Sequence, residues 1–228
     1  MNSVKIAILN ITGYAGISLA RILHRHPNVE IVSVTGRSDA GKQLSEIFPH
    51  MDSLDIQIEQ EVSEEVDLVF SCLPHSASAL ALEPFIRKGV KVIDLSADFR
   101  LNDNEIYKKN YKNEHSCPNI LDQFIYGLPE INHTLIQKGR NIAIPGCYPT
   151  SVLLPLIPLF KENIIKSENI IIDSKSGYSG AGKKFDLKKI SNNGEHNFYN
   201  YNTNQHRHIC EIHQELSKIS NISIKFSF

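Results

Sequence analysis

One cysteine between two prolines, two histidines around an arginine, and two glycine-rich turns could do chemistry in this 228-residue chain. Cys147 lies in Pro145-Gly146-Cys147-Tyr148-Pro149-Thr150, after a short apolar run and before a longer one. Read as strand then helix, that order puts the thiol at a helix N-terminus, where the positive end of the dipole favours thiolate. Gly146 keeps side-chain bulk away from the sulfur and leaves room for a substrate carbonyl. The competing role is that of a small buried hydrophobe, the usual fate of a free cysteine. By the same test Cys72, at a strand end, belongs to the core. Cys117 falls in a polar loop and Cys210 near a helix start, without comparable surroundings.

A catalytic thiolate needs a partner that manages protons. The best candidates are His206 and His208 in Gln205-His206-Arg207-His208-Ile209-Cys210-Glu211, with Glu211 available to orient a ring. The alternative is a surface cluster near a helix terminus. A zinc set of His206, His208, Cys210 and His213 lacks a C-x-x-C or H-E-x-x-H spacing, and no metal is expected. The segment Ser174-Lys175-Ser176-Gly177-Tyr178-Ser179-Gly180-Ala181-Gly182 is rich in small residues and backbone donors, which suits a phosphate cradle or a flexible loop. Asp94-Leu95-Ser96-Ala97-Asp98-Phe99-Arg100 closes a strand at the end where α/β folds bind ligands. It offers Arg100 to an anionic group.

A second constellation opens the chain. Asn10-Ile11-Thr12-Gly13-Tyr14-Ala15-Gly16 sits between an apolar run and a helical pattern, with Gly13 and Gly16 in the last two places of G-x-x-G-x-x-G. Such a turn lets main-chain N–H groups approach a pyrophosphate at the helix N-terminus. Asn10 holds the first place, and asparagine tolerates the left-handed conformation that the turn requires. The next strand ends in Thr35-Gly36-Arg37-Ser38, without the acidic residue that would bind a ribose diol. Arg37 and Ser38 suit a 2′-phosphate, so the cofactor is read as NADP(H).

The elements that must position these groups alternate. Strands are predicted at 4–9, 29–35, 66–73 and 90–96, with helices from Ala15 to Leu23 and over 76–88. Apolar strands in repeated β-α-β order imply a parallel sheet covered on both faces. Residues 101–139 read as irregular structure with short helices. A strand at 142–144 leads to Cys147 and a helix through Phe160. Further strands are predicted at 169–173 and 222–228, and a helix at 209–216. The fold class is α/β: a Rossmann-type domain over 1–146, then an α+β catalytic domain over 147–228 that reads as cut short.

The composition, 41% hydrophobic and 21% charged, is that of an ordinary soluble globular protein. A net charge of −1 without a basic run argues against a nucleic-acid partner. No stretch approaches the roughly 20 apolar residues of a membrane span. The start lacks a signal-peptide layout, and the four cysteines lack a disulfide framework, so a cytoplasmic protein is expected.

Collinear motifs carry a resemblance over the whole chain. They are Thr12 to Gly16, Arg37-Ser38-Asp39-Ala40-Gly41-Lys42, Leu73-Pro74-His75, Asp94 to Arg100, Tyr126-Gly127-Leu128-Pro129-Glu130, Pro145 to Thr150, Ser176 to Gly182 and His206-Arg207-His208. Together they resemble the N-acetyl-gamma-glutamyl-phosphate reductase family, the arginine-biosynthesis relatives of aspartate-semialdehyde dehydrogenase. The resemblance implies that Cys147 attacks an acyl phosphate and that the resulting thioester is reduced by NADPH. It implies His208 as acid/base, with His206 second. Thr12, Gly13, Tyr14, Ala15, Gly16, Arg37, Ser38, Leu73, Pro74, Ser179 and Gly180 would meet the cofactor, and Arg100, Ser176, Gly177 and Arg207 the substrate. It also implies a homo-oligomer (dimer or tetramer) for a full-length chain. Two departures stand out: Asn10 replaces the first glycine, and family members continue past the last predicted strand, whose edge would then lack a partner. The rivals are aspartate-semialdehyde dehydrogenase, a non-catalytic NADP-binding fragment, and a cysteine hydrolase that would leave the glycine turn unexplained.

Overall fold

The structure is a computed structural model that describes residues 3–183, 198–219 and 224–228. The chain divides into two compact units, 1–108 with 113–145, and 109–112 with 146–228.

The first unit begins with β1 (Val4–Leu9), whose last four residues, Ile6 to Leu9, are buried and carry both faces of the core. Ile6 and Ile8 pack with Ile17, Ala20, Ile31 and Val34 in one cluster. Ala7 and Leu9 pack with Val69, Ala79, Leu82 and Val92 in the other. The period of two along a strand sends alternate side chains to opposite faces, so a strand covered on both must be apolar throughout. Each fully buried isoleucine or leucine contributes about 1.5–3 kcal/mol.

The unit continues with α1 (Tyr14–Leu23), β2 (Val29–Thr35), α2 (Leu44–Ile47), β3 (Ile58–Glu59), β4 (Leu68–Ser71), α3 (Ser78–Arg87), β5 (Lys91–Asp94), α4 (Asn104–Tyr111, its residues 109–111 counted with the second unit), β6 (Phe124–Tyr126), α5 (Pro129–Lys138) and β7 (Asn141–Ala143). The strands lie in the order β3-β2-β1-β4-β5-β7-β6. Every adjacent pair is parallel. The chain steps outward from β1 to β3, then returns to β4 on the other side of β1. The order therefore reverses between β1 and β4, which sets a crevice at their carboxyl ends.

β1 and β2 have the bounds that the sequence predicts. The stretch 101–139 is more regular than expected, because it holds α4, β6 and α5. No residue of α5 is buried, so it carries no apolar stripe to read.

The second unit holds α6 (Cys147–Lys161), β8 (Ile170–Ile171), a 3-10 turn at Tyr178–Ala181, α7 (Ile209–Ser217) and β9 (Phe226–Ser227). α6 buries Val152, Leu153, Ile157 and Phe160, and α7, with Ile212 and Leu216 fully buried, packs against it. β8 and β9 pair in parallel, Ile170 with Phe226 and Ile171 with Ser227. Of the strand predicted at 222–228, residues 222 and 223 lie outside the described residues. Among the described residues no helix is long and apolar enough to cross a membrane.

Candidate functional site

In the first unit, the turn between β1 and α1 has the geometry that a close ligand approach requires. Asn10 adopts φ 62°, the left-handed conformation expected of it. A Cβ on Gly16 would lie 2.5 Å from the Asn10 carbonyl oxygen and 2.8 Å from two Ile11 atoms, so only glycine lets α1 sit this tightly on the turn. Gly13 caps α1, and Tyr14 and Ala15 are exposed in its first turn. Thr12 lies beside Gly36 at the end of β2, where an added Cβ would be 3.5 Å from the Thr12 methyl. The loop after β4 flanks the same crevice, with Leu73 half-buried and Pro74 exposed. A helix N-terminus that glycine lets sit tightly on its turn suits a pyrophosphate.

Arg37 and Ser38 are exposed just beyond β2. The nearby acid, Asp39, accepts Ser38 Oγ at 3.0 Å and pairs with Lys42 Nζ at 2.9 Å. The Asp39 carboxylate draws the Lys42 ammonium pKa upward. The acid next to Arg37 is thus matched by a cation.

The carboxyl end of β5 is a buried polar cluster. Asp94 accepts Ser78 Oγ at 2.6 Å and Ser96 Oγ at 2.6 Å, while burial pushes its carboxyl up to about 6. Arg100, expected to meet an anion, is buried. It donates Nε to the Ile144 carbonyl at 2.7 Å and a terminal nitrogen to the Leu95 carbonyl at 2.9 Å. It braces the main chain that leads to Pro145.

In the second unit Cys147 is the first residue of α6, with Gly146 as its N-cap. Its thiol is exposed, whereas Cys72 and Cys117 are buried and Cys210 is intermediate. That separates Cys147 from the buried-hydrophobe role. Cys117, read as a loop residue, packs in the core with Phe99 and Phe124. The Gly146 N–H donates to Glu211 Oε1 at 2.9 Å, and Thr150 Oγ1 donates to the Gly146 carbonyl at 2.9 Å.

His206 and His208 are both buried, with ring centroids 4.7 Å apart. The Tyr148 ring stands edge-on to both, at 5.0 and 6.1 Å. The His208 main-chain N–H donates to His206 Nδ1 at 3.1 Å, so a neutral His206 carries its proton on Nε2. That nitrogen lies 3.5 Å from the Tyr201 hydroxyl, which donates to the Tyr148 hydroxyl at 2.9 Å. Burial lowers the His206 pKa, and the Arg207 charge lowers it further. The Tyr201 pKa is raised, first by burial and then by its bond to Tyr148, with the Cys147 thiolate adding to it. Arg207 is exposed, its guanidinium 5.8 Å from the Tyr111 ring centroid.

A cavity of about 880 Å³ in this unit is lined in part by Ser176, Gly177, Gly180, His206 and Arg207 and by Tyr148, Tyr201 and Phe228. Cys147, His208 and Ser179 are not in that lining. The aromatic surround of Tyr148, Tyr201 and Phe228 carried no sequence pattern of its own; the only signal was the adjacency of Tyr148 to Cys147. Among the described residues no group of three or more His, Cys, Asp or Glu side chains could hold a metal ion.

Comparison with known proteins assigns both units. The family model described as "Semialdehyde dehydrogenase, NAD binding domain" matches residues 5–139, and "Semialdehyde dehydrogenase, dimerisation domain" matches 147–228. An N-acetyl-gamma-glutamyl-phosphate reductase of Dehalococcoides mccartyi is 46% identical over 220 residues, covering 96% of this chain and 64% of that protein. One of Pelotomaculum thermopropionicum is 43% identical over 231 residues, covering 99% of this chain and 67% of that protein. The chain thus spans about two thirds of the length of these relatives. In fold it is similar to aspartate semialdehyde dehydrogenase II of Vibrio cholerae in complex with ASA. There the TM-score is 0.70 at 18% identity, covering 99% of this chain and 69% of that one. The chain belongs to the semialdehyde dehydrogenase family, among the relatives named N-acetyl-gamma-glutamyl-phosphate reductase.

Proposed function

We propose that the chain carries out the NADPH-dependent reduction of N-acetylglutamyl 5-phosphate to N-acetylglutamate 5-semialdehyde and phosphate, through a thioester on Cys147, in arginine biosynthesis. The observation that carries this reading is the exposed thiol opening α6, next in sequence to Tyr148, whose ring packs against two buried histidines, in a chain with named relatives above 40% identity. The Cys147 sulfur attacks the acyl carbon, the C–O bond to phosphate breaks, and phosphate leaves. Main-chain N–H groups at the start of α6 face the charge that develops on the carbonyl oxygen. Bound NADPH supplies the hydride. His208 gives a proton to the oxygen and recovers it as the sulfur leaves; His206, with Nδ1 already an acceptor, fits a donor role at Nε2 and is the second choice.

Thr12, Gly13, Tyr14, Ala15 and Gly16 would meet the pyrophosphate, Arg37 and Ser38 the 2′-phosphate, and Leu73, Pro74, Ser179 and Gly180 the rest of the cofactor. Ser176, Gly177 and Arg207 would meet the substrate, while the carbonyl contacts of Arg100 favour bracing over direct binding. The division of labour would fall between residues 146 and 147. The match of 147–228 to a dimerisation domain supports a homo-oligomer, and the biosynthetic role supports a cytoplasmic site.

The test is phosphate-dependent NADP reduction, run with N-acetylglutamate 5-semialdehyde and with aspartate semialdehyde. Turnover of the first alone supports the reading. Turnover of the second alone moves the chain to aspartate-semialdehyde dehydrogenase. NADPH binding without turnover of either leaves a non-catalytic binding protein.

A further inference from the structure

Two side chains that this reaction does not use hold the segment after β4. Asn10 stands where a glycine-rich turn would carry its first glycine, and its φ of 62° is one that glycine reaches freely and asparagine next best. Unlike glycine, it donates its side-chain Nδ2–H to the Cys72 carbonyl at 2.8 Å. Cys72 is the first residue after β4, so this bond ties the loop after β1 to the loop after β4 across the point where the strand order reverses. Gly13 leaves room for it: a Cβ there would lie 3.2 Å from the Asn10 amide nitrogen.

The other end of the segment is held as well. Asp98, fully buried, accepts the Ser76 N–H at 2.7 Å and the Tyr107 hydroxyl at 2.8 Å on one oxygen. Its other oxygen accepts the Ala79 N–H at 3.0 Å, in the first turn of α3. Ser76 has φ 69°, a conformation that a serine keeps only when its surroundings impose it. Asn113 Nδ2 donates to Ser76 Oγ at 3.0 Å.

We propose that Asn10 is a positioning residue. Its amide clasps the Cys72 carbonyl and, with Asp98 at Ser76, presets residues 72–76 as one wall of the dinucleotide crevice. The proposal rests on the cofactor reading above and adds to it what the departure from glycine does.

Asn10→Gly keeps the left-handed backbone allowed and removes only the amide. NADPH binding, followed by cofactor fluorescence on the 228-residue chain, is expected to weaken about fivefold, the size of one ordinary hydrogen bond. Adenosine 2′-monophosphate, which lacks the pyrophosphate and the nicotinamide, is expected to bind both chains equally. Should Asn10→Gly fold poorly, Asn10→Asp keeps the shape but sets an oxygen against the Cys72 carbonyl, and is expected to weaken NADPH at least as far. Unchanged NADPH affinity overturns the clasp. Equal loss for both ligands also overturns it, by making Asn10 merely structural. If the unaltered chain fails to bind NADPH, the cofactor reading itself fails and the clasp falls with it.

Discussion

The main-chain N–H of Gly146 donates to Glu211 Oε1 at 2.9 Å, a bond buried at both ends. Gly146 caps the helix that begins with Cys147, and Glu211 sits in the first turn of the helix that follows His208. One carboxylate oxygen therefore joins the helix that opens with Cys147 to the helix that follows His208. A negative group at the start of a helix also complements its dipole.

Glu211→Ala is expected to leave the Gly146 N–H buried without its acceptor, at a cost of about 1–3 kcal/mol. Urea unfolding of the variant should show that loss. Glu211→Gln, which keeps an oxygen in reach, should lose less. Equal stability of the alanine variant and the parent would remove the bond from the account.

Gly16→Ala should be far more disruptive than its single methyl suggests. The added Cβ would meet main-chain atoms at 2.5–2.8 Å, which cannot swing aside as a side chain can. A loss of about 1–3 kcal/mol in stability, typical of overpacking, is expected together with at least tenfold weaker NADPH binding. Thermal unfolding and cofactor fluorescence read the two effects separately.

Arg37→Asp tests the choice of cofactor. Arg37 is exposed, and if it meets the 2′-phosphate as proposed, a carboxylate there would repel that group. NADPH affinity should fall at least tenfold while NADH affinity holds or improves. Equal loss of both would contradict the 2′-phosphate assignment.

Asp94 predicts a pH dependence of stability. Burial raises its carboxyl from 3.8 to about 6, so between those values the folded chain holds a proton that the unfolded chain has released. Its contribution is full below about pH 4 and is lost as pH rises through about 6, amounting to about 3 kcal/mol. Asp94→Asn cannot titrate. The stability of the parent relative to this variant should therefore fall as pH rises from 4 to 7, measured by denaturant unfolding at each pH.

The central strands and the glycine turn were legible because burial on both faces demands an unbroken apolar run, as at Ile6 to Leu9. β3 was not, since Ile58–Glu59 has only two residues and its pairing depends on β2. β6 and α5 escaped for related reasons: three residues in one, no buried face in the other. At the candidate site, Cys147, His206 and His208 could be singled out by residue type and neighbours. The partner of Glu211 could not, because Gly146 lies 65 residues away and a main-chain donor leaves no mark in composition. The same holds for Arg100, whose charge suggested an anion but whose donors reach the carbonyls of Leu95 and Ile144.

The central claim is that the thiol of Cys147 becomes acylated, and a single-turnover measurement tests it most directly. The chain is mixed with N-acetylglutamate 5-semialdehyde and NADP, with phosphate left out. Under the proposed reaction sulfur would add to the aldehyde, hydride would pass to NADP, and the acyl group would stay on the protein until phosphate removed it. The account predicts a burst of about one NADPH per chain, with the N-acetylglutamyl mass on the Cys147 peptide. Phosphate should release that group, and Cys147→Ser should show neither the burst nor the mass. A burst of equal size in the serine variant, or acyl mass at another residue, would contradict the account.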